Sequence, residues 1–149
     1  MTTAETRSAP RGSVRTTALA AAVGAGAVVA AAVIPTSVVG NGPVLCPFRL
    51  VTGLPCPGCG LTRSWVAVAH GDVASAFSDN AFGPISFTAV VAMTVAAAVL
   101  ALVAPARIGV LAAVARSRVV YSVAAVWVVY GIVRAVDAAA GIGWFPAVT

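Results

Sequence analysis

Long stretches without a charged side chain constrain this chain more than any other feature. Residues 17–39 run for 23 positions with no Asp, Glu, Lys, Arg or His, and residues 85–103 for 19. At about 1.5 Å of rise per residue, a helix over the first stretch reaches about 34 Å, enough to cross a bilayer core. A third apolar stretch, 119–136, carries Arg134 near its end, with Asp137 three residues later. Composition agrees: 60% of the 149 residues are hydrophobic and 9% are charged. A soluble domain carries about 45–50% apolar and about 25% charged residues. This excludes an ordinary soluble domain and a disordered chain. The sequence reads as an all-α integral membrane protein with three transmembrane helices, at 17–39, 85–103 and 119–136.

The intervening segments set the topology. Residues 1–16 hold Arg7, Arg11, Arg15 and Glu5, with Pro10 and Gly12 as helix breakers. They read as a disordered basic tail. A cleaved signal peptide competes for the first stretch. Its apolar part is longer than the usual run of about 7–15 residues, and no clear Ala-x-Ala site follows. The loop 104–118 holds Arg107, Arg116 and Arg118 around the short apolar run 108–115, which is too short to span and is expected at the interface. Residues 137–149 form a C-terminal tail. Nine Arg, no Lys and four acids give a net charge of +5. That excess lies wholly in 1–16 and 104–118. It therefore reads as a positive-inside signal and not as a nucleic-acid footprint. The tail and the 104–118 loop fall in the cytoplasm. The Cys-containing loop 40–84 and the C-terminus fall outside the plasma membrane. Gly24 and Gly26 allow close helix approach. So small a bundle suits a homo-oligomer or a larger membrane complex, besides the lipid bilayer itself.

The loop 40–84 holds all three cysteines, Cys46, Cys56 and Cys59, and the only histidine, His70. Two Gly and two Pro around Cys56 and Cys59 predict a tight turn. Residues 61–70 then read as a helix, with Leu61, Trp65 and Val68 on one face. Gly71 suits its left-handed end, and Asp72 the N-cap of a second short helix over 73–78. Trp65, Phe77 and Phe82 are candidates for seating this loop at the headgroups.

The Cys56-Pro57-Gly58-Cys59 spacing before a helix carries chemistry, because a thiolate near free N–H groups is stabilised. Three readings compete. A structural disulfide leads, since extracytoplasmic thiols tend to be oxidised and Cys46 could bridge to Cys56 or Cys59. A redox-active pair with Cys46 as third participant is the second. The third is a metal site of Cys46, Cys56, Cys59 and His70, a donor set that suits tetrahedral zinc. No other cofactor is implied.

The run from Cys46 through Thr52-Gly53 to Cys56-Pro57-Gly58-Cys59-Gly60-x-Thr62-Arg63, followed by His70-Gly71-Asp72, resembles one bacterial family. It is similar to the small membrane proteins grouped as domain of unknown function 2752, whose pattern is a first Cys, a TG-x-x-CPGCG-x-TR block, a Gly-Asp pair and an Asn-Pro. The resemblance covers roughly residues 46–84. Here Asn80 is followed by Ala81. The resemblance implies a polytopic membrane protein and supplies no activity.

Other residues have plain readings. Arg63 is expected to pair with Asp72 or Asp79, or else to bind a phosphate or carboxylate. His70 reads as a solvated or interfacial side chain. Arg134 is read as snorkelling to the outer headgroups, although an ionisable residue within a span is a functional candidate by default. No convergent acid, base and nucleophile is visible. Two function classes remain. A non-catalytic accessory or interaction protein with a structural Cys turn leads. The alternative is an extracytoplasmic thiol–disulfide or Cys/His metal-binding component.

Overall fold

A computed structural model describes residues 11–40 and 46–145. The expectations for residues 1–10, 41–45 and 146–149 lie outside the described residues. Among the described residues every regular element is helical. Three helical stretches are long and apolar enough to cross a membrane: Arg15–Val33, Gly83–Val103 and one within Pro105–Ala140.

The first helix, α1 (Arg11–Val33), begins six residues before the expected span. Gly12 does not prevent this, because one glycine costs a helix only about 1 kcal/mol relative to alanine. The helix stops at Val33, short of Val39, because Pro35 follows and disfavours helical geometry at Ile34. A separate turn of helix, α2 (Thr36–Gly40), continues beyond it.

Between the first two spans lie three more short helices: α3 (Pro47–Thr52), α4 (Leu61–Ala69) and α5 (Val73–Asp79). The last two are the expected pair. The first was not foreseen. Pro47 opens it and Gly53, at φ 73°, closes it. The α4–α5 corner is a Schellman arrangement. Asp72 N–H donates to the Ala67 carbonyl (2.9 Å) and Gly71 N–H to that of Val68 (3.0 Å). Gly71 takes the left-handed φ of 84° that this requires.

The second span, α6 (Gly83–Val103), packs along α1. They approach closely at Gly24, where a Cβ would stand 2.9 Å from Thr94 Oγ1. Gly26 faces open space. After a 3-10 turn (Pro105–Arg107) comes α7 (Gly109–Ala115). It leans back on α1 and α6, burying Ile108 and Leu111 against Ala97. The third span is α8 (Arg118–Ala140), N-capped by Ser117, whose Oγ accepts from Val120 N–H, and closed by left-handed Gly141.

The most deeply buried side chains are not in the middle of the spans. Val66, Asn80 and Ser64 are the largest that are fully enclosed, and all lie in or beside the Cys loop. Span faces that a lipid phase would cover stay open, as at Leu102, 85% exposed. The tightest packing thus lies in the loop and where α6 and α8 meet it.

Candidate functional site

The Cys56–Cys59 segment forms the expected turn. Cys59 N–H donates to the Cys56 carbonyl (3.0 Å) and Leu61 N–H to that of Gly58 (3.0 Å). Gly60 then adopts φ 83° as the N-cap of α4. A Cβ on Gly60 would also strike the backbone carbonyl of Asp79. The third cysteine arrives from the start of α3, where Cys46 is the N-cap.

These two segments bring the sulfurs together. Cys46 Sγ lies 3.3 Å from Cys56 Sγ, and Cys59 Sγ lies 3.5 Å from Cys56 Sγ. All three sulfurs fall within 4.8 Å of one another. The expected structural disulfide is absent, and all three are free thiols. His70 is not part of the group. Its Nδ1 is 2.8 Å from the Val66 carbonyl at the far end of α4. Nine residues of helix separate it from the turn, so the Cys/His set drawn from the sequence reduces to three sulfurs.

The three thiols are not equivalent. The Arg49 backbone N–H, followed by weaker contacts with Cys56 and Cys59, holds the Cys46 thiol below its ordinary range. Burial pushes Cys59 up to about 12. Cys59 Sγ in turn accepts the Cys56 backbone N–H at 3.2 Å. The cluster thus joins a partly exposed, acidic thiol to a buried thiol that holds its proton.

Two buried side chains hold the turn by its backbone. Asn80, 0% exposed, donates through Nδ2 to the carbonyls of Pro57 (3.0 Å) and Cys59 (3.1 Å). Its Oδ1 accepts Phe82 N–H (3.0 Å), and Gly83 N–H returns to the Asn80 carbonyl (2.8 Å). A tight turn therefore exists at Asn80 without a following proline, because the side chain supplies the closure. Arg134, 2% exposed, donates through Nη1 to the Cys59 carbonyl (3.0 Å) and through Nη2 to that of Asp79 (3.1 Å). This corrects the headgroup-anchor reading of Arg134. The guanidinium points inward because two backbone carbonyls await it there. Its i+3 neighbour Asp137 serves a different end, accepting Trp144 N–H (3.0 Å) and Phe145 N–H (3.1 Å).

Close backbone approaches complete the seat. Pro57 rests on α8 at Gly131, where any Cβ would overlap its ring. Ser64, fully buried, donates to the Ala76 carbonyl at 2.7 Å, and Gly83 packs on it. Trp65 turns toward α6. Its Nε1 donates to Ser86 Oγ (2.9 Å), and its ring meets Phe87 edge-on. Phe82 lies against Tyr130, whereas Phe77 is exposed.

The remaining motif residues sit beside this body. Asp72 caps α5 as expected, accepting Ser75 N–H at 3.0 Å, and that bond lowers its pKa. Arg63 lines a cleft with Asp72 and Asp79, and its charge acts on Asp79. Burial raises the Asp79 pKa even so, against the pull of Arg63 and Arg134. Thr62 is exposed on the other side of α4, toward α1. Sequence reasoning missed Ser64, Gly83, Gly131 and the role of Asn80. The charge of Arg134 inside a span and the Asn of the family pattern at Asn80 were the signals available in advance.

Residues 46–108 match the family described as Protein of unknown function (DUF2752). This is the family that the sequence resembles. The segment matching domain of unknown function 2752 runs from the first thiol through α6 to Ile108, so it includes all three cysteines and Asn80. Arg134, which reaches the same turn from α8, lies beyond it. The family description assigns no activity. No curated protein and no solved structure matches the chain.

Proposed function

We propose that this protein is a membrane-anchored thiol–disulfide exchange component, with Cys46 and Cys56 as the exchanging pair. The observation that carries this reading is the 3.3 Å separation of their sulfurs, with Cys56 on a turn pinned by Asn80 and Arg134 and Cys46 reaching it from the start of α3. The Cys46 thiolate attacks a partner disulfide, forming a mixed disulfide and expelling one partner thiolate. Cys56, as its thiolate, then attacks the Cys46 sulfur and releases the second partner thiolate. The Cys56 proton passes to solvent, and the two expelled thiolates take up protons there. The partner is reduced by two electrons, and the chain keeps a Cys46–Cys56 disulfide. Cys59 stays a buried thiol behind the pair.

The proposed setting is the plasma membrane, with the N-terminus cytoplasmic and the Cys loop and C-terminus outside. An oxidising compartment suits such exchange. A reporter fused after Thr149 should read as extracytoplasmic, and a cytoplasmic signal would overturn this orientation. The non-catalytic accessory reading keeps one specific support. The carbonyls of the Cys turn join the end of α5 to α8, so the turn can serve as a structural keystone within a homo-oligomer or larger complex.

Trapping decides between the two. On the exchange reading, Cys56→Ser accumulates a mixed disulfide with a partner through Cys46, and Cys46→Ser accumulates none. Normal abundance with no trapped species in either variant would remove the exchange reading and leave the keystone.

A further inference from the structure

The exchange reading uses two of the three sulfurs. The third has no part in it, yet it is held as firmly as the others. Cys59 is 6% exposed, and its carbonyl receives both Asn80 and Arg134. Two cysteines suffice for a disulfide. Three converging sulfurs, with no carboxylate or imidazole in the group among the described residues, make a donor set of another kind.

We propose that the fully reduced cluster of Cys46, Cys56 and Cys59 binds one soft, thiophilic cation of the Cu(I) class through its three sulfurs. A cation about 2.3 Å from each sulfur, the length of a zinc–thiolate bond, sets three trigonal sulfurs about 4.0 Å apart. The separations here are 3.3 and 3.5 Å, with none beyond 4.8 Å. Adjustments of well under 1 Å at each sulfur, by the same geometry, admit the ion. Cys56 and Cys59 are fixed by the turn. Cys46 comes from a separate segment, at the N-cap of the short α3.

The donor set selects among cations. Thiolates favour soft ions over magnesium or calcium, which take oxygen. Structural zinc takes four ligands, and the histidine that would supply the fourth is bonded at the far end of α4. A three-coordinate thiolate site is complete for Cu(I). Each thiol that binds does so as a thiolate and releases its proton to solvent. The negative charge gathered around a monovalent ion is offset by the Arg134 guanidinium on the Cys59 carbonyl. The Cys56 N–H at Cys59 Sγ offsets it further.

This inference does not rest on the exchange reading. The two meet in one consequence, because a Cys46–Cys56 disulfide removes two ligands and so releases the ion.

The test uses the full-length chain in detergent micelles, reduced and kept free of oxygen. Cu(I) is titrated against a competing chelator, and the sulfur neighbours are counted by X-ray absorption on the wild-type protein. One copper per chain with three sulfur neighbours is the expected result. Loss of an outer-sphere partner alone costs metal sites about 10–100-fold. Loss of a sulfur in Cys59→Ser should therefore weaken binding by at least about 100-fold. His70→Ala should leave affinity unchanged, and the disulfide form should bind no copper. Copper with only two sulfur neighbours, undiminished affinity in Cys59→Ser, or tighter binding of Zn²⁺ through an added nitrogen ligand would each overturn the proposal. The wild-type spectrum keeps the test valid even if a serine variant fails to fold. The mixed-disulfide trap reads the exchange reaction separately.

Discussion

The Arg134 guanidinium donates a 3.0 Å hydrogen bond to the carbonyl of Cys59, 75 residues earlier in the chain. That carbonyl also accepts Asn80 Nδ2 at 3.1 Å. One backbone oxygen thus joins the thiol turn, the end of α5 and the last span. A buried cation within a span needs such partners, since a charge far from water is costly unless paired or hydrogen-bonded.

Arg134→Met should destabilise the protein by about 3 kcal/mol, because the Cys59 and Asp79 carbonyls lose a charged donor, the first of them in a buried place. Arg134→Lys should not restore it. One ammonium lacks the planar fork that meets two carbonyls at 3.0 and 3.1 Å. Thermal unfolding in detergent of both variants beside the parent checks this, and a fully stable Lys variant would contradict it.

Asn80→Asp is nearly isosteric and should be worse than a small cavity. A carboxylate cannot donate to the Pro57 and Cys59 carbonyls, and it places acceptor against acceptor. We expect a loss of about 2–4 kcal/mol at neutral pH, from two unmade buried bonds. The same variant should expose Cys59, so its alkylation rate in the folded protein should rise. Parent-like alkylation would show that Asn80 does not hold the turn.

Glycine substitutions should sort by contact. Gly60→Ala combines a φ of 83° with a backbone collision at Asp79. It should cost more than the roughly 1–2 kcal/mol of a left-handed residue alone. Gly53→Ala, at φ 73° in open space, should cost only that smaller amount. Gly131→Ala should push Pro57 from α8, whereas Gly26→Ala, with open space, should be neutral or gain up to about 1 kcal/mol in helix propensity. Equal effects at all four positions would refute this account of the packing.

Asp79 sets a pH dependence. Its folded-state pKa is raised above the ordinary 3.8, chiefly by burial. Its contribution to stability is therefore fully present below that value and is lost as pH rises through the raised one. Asp79→Asn should melt higher than the parent at about pH 7, and the gap should close below about pH 4. A variant less stable than the parent at neutral pH would mean that the pull of Arg63 and Arg134 outweighs burial.

The three apolar helices were legible from uncharged runs, because a span must satisfy its backbone internally whatever surrounds it. The α4–α5 corner was legible for a local reason too. Gly71 and Asp72 act on hydrogen bonds within a few residues of themselves. The Cys turn was visible as a turn, and its three thiols as a candidate set. Which partners those thiols have was decided only by tertiary structure. The sequence grouped His70 with the cysteines by spacing, and α4, as a rigid rod, carried it to the opposite end. It read Arg134 as an anchor, since no local pattern reveals two carbonyls waiting 55 and 75 residues away. Side-chain type and local period set the helices and their ends. The convergence of Cys46, Cys56, Cys59, Asn80 and Arg134 depends on close approaches at Gly60, Gly83 and Gly131, which exist only once the whole chain is folded.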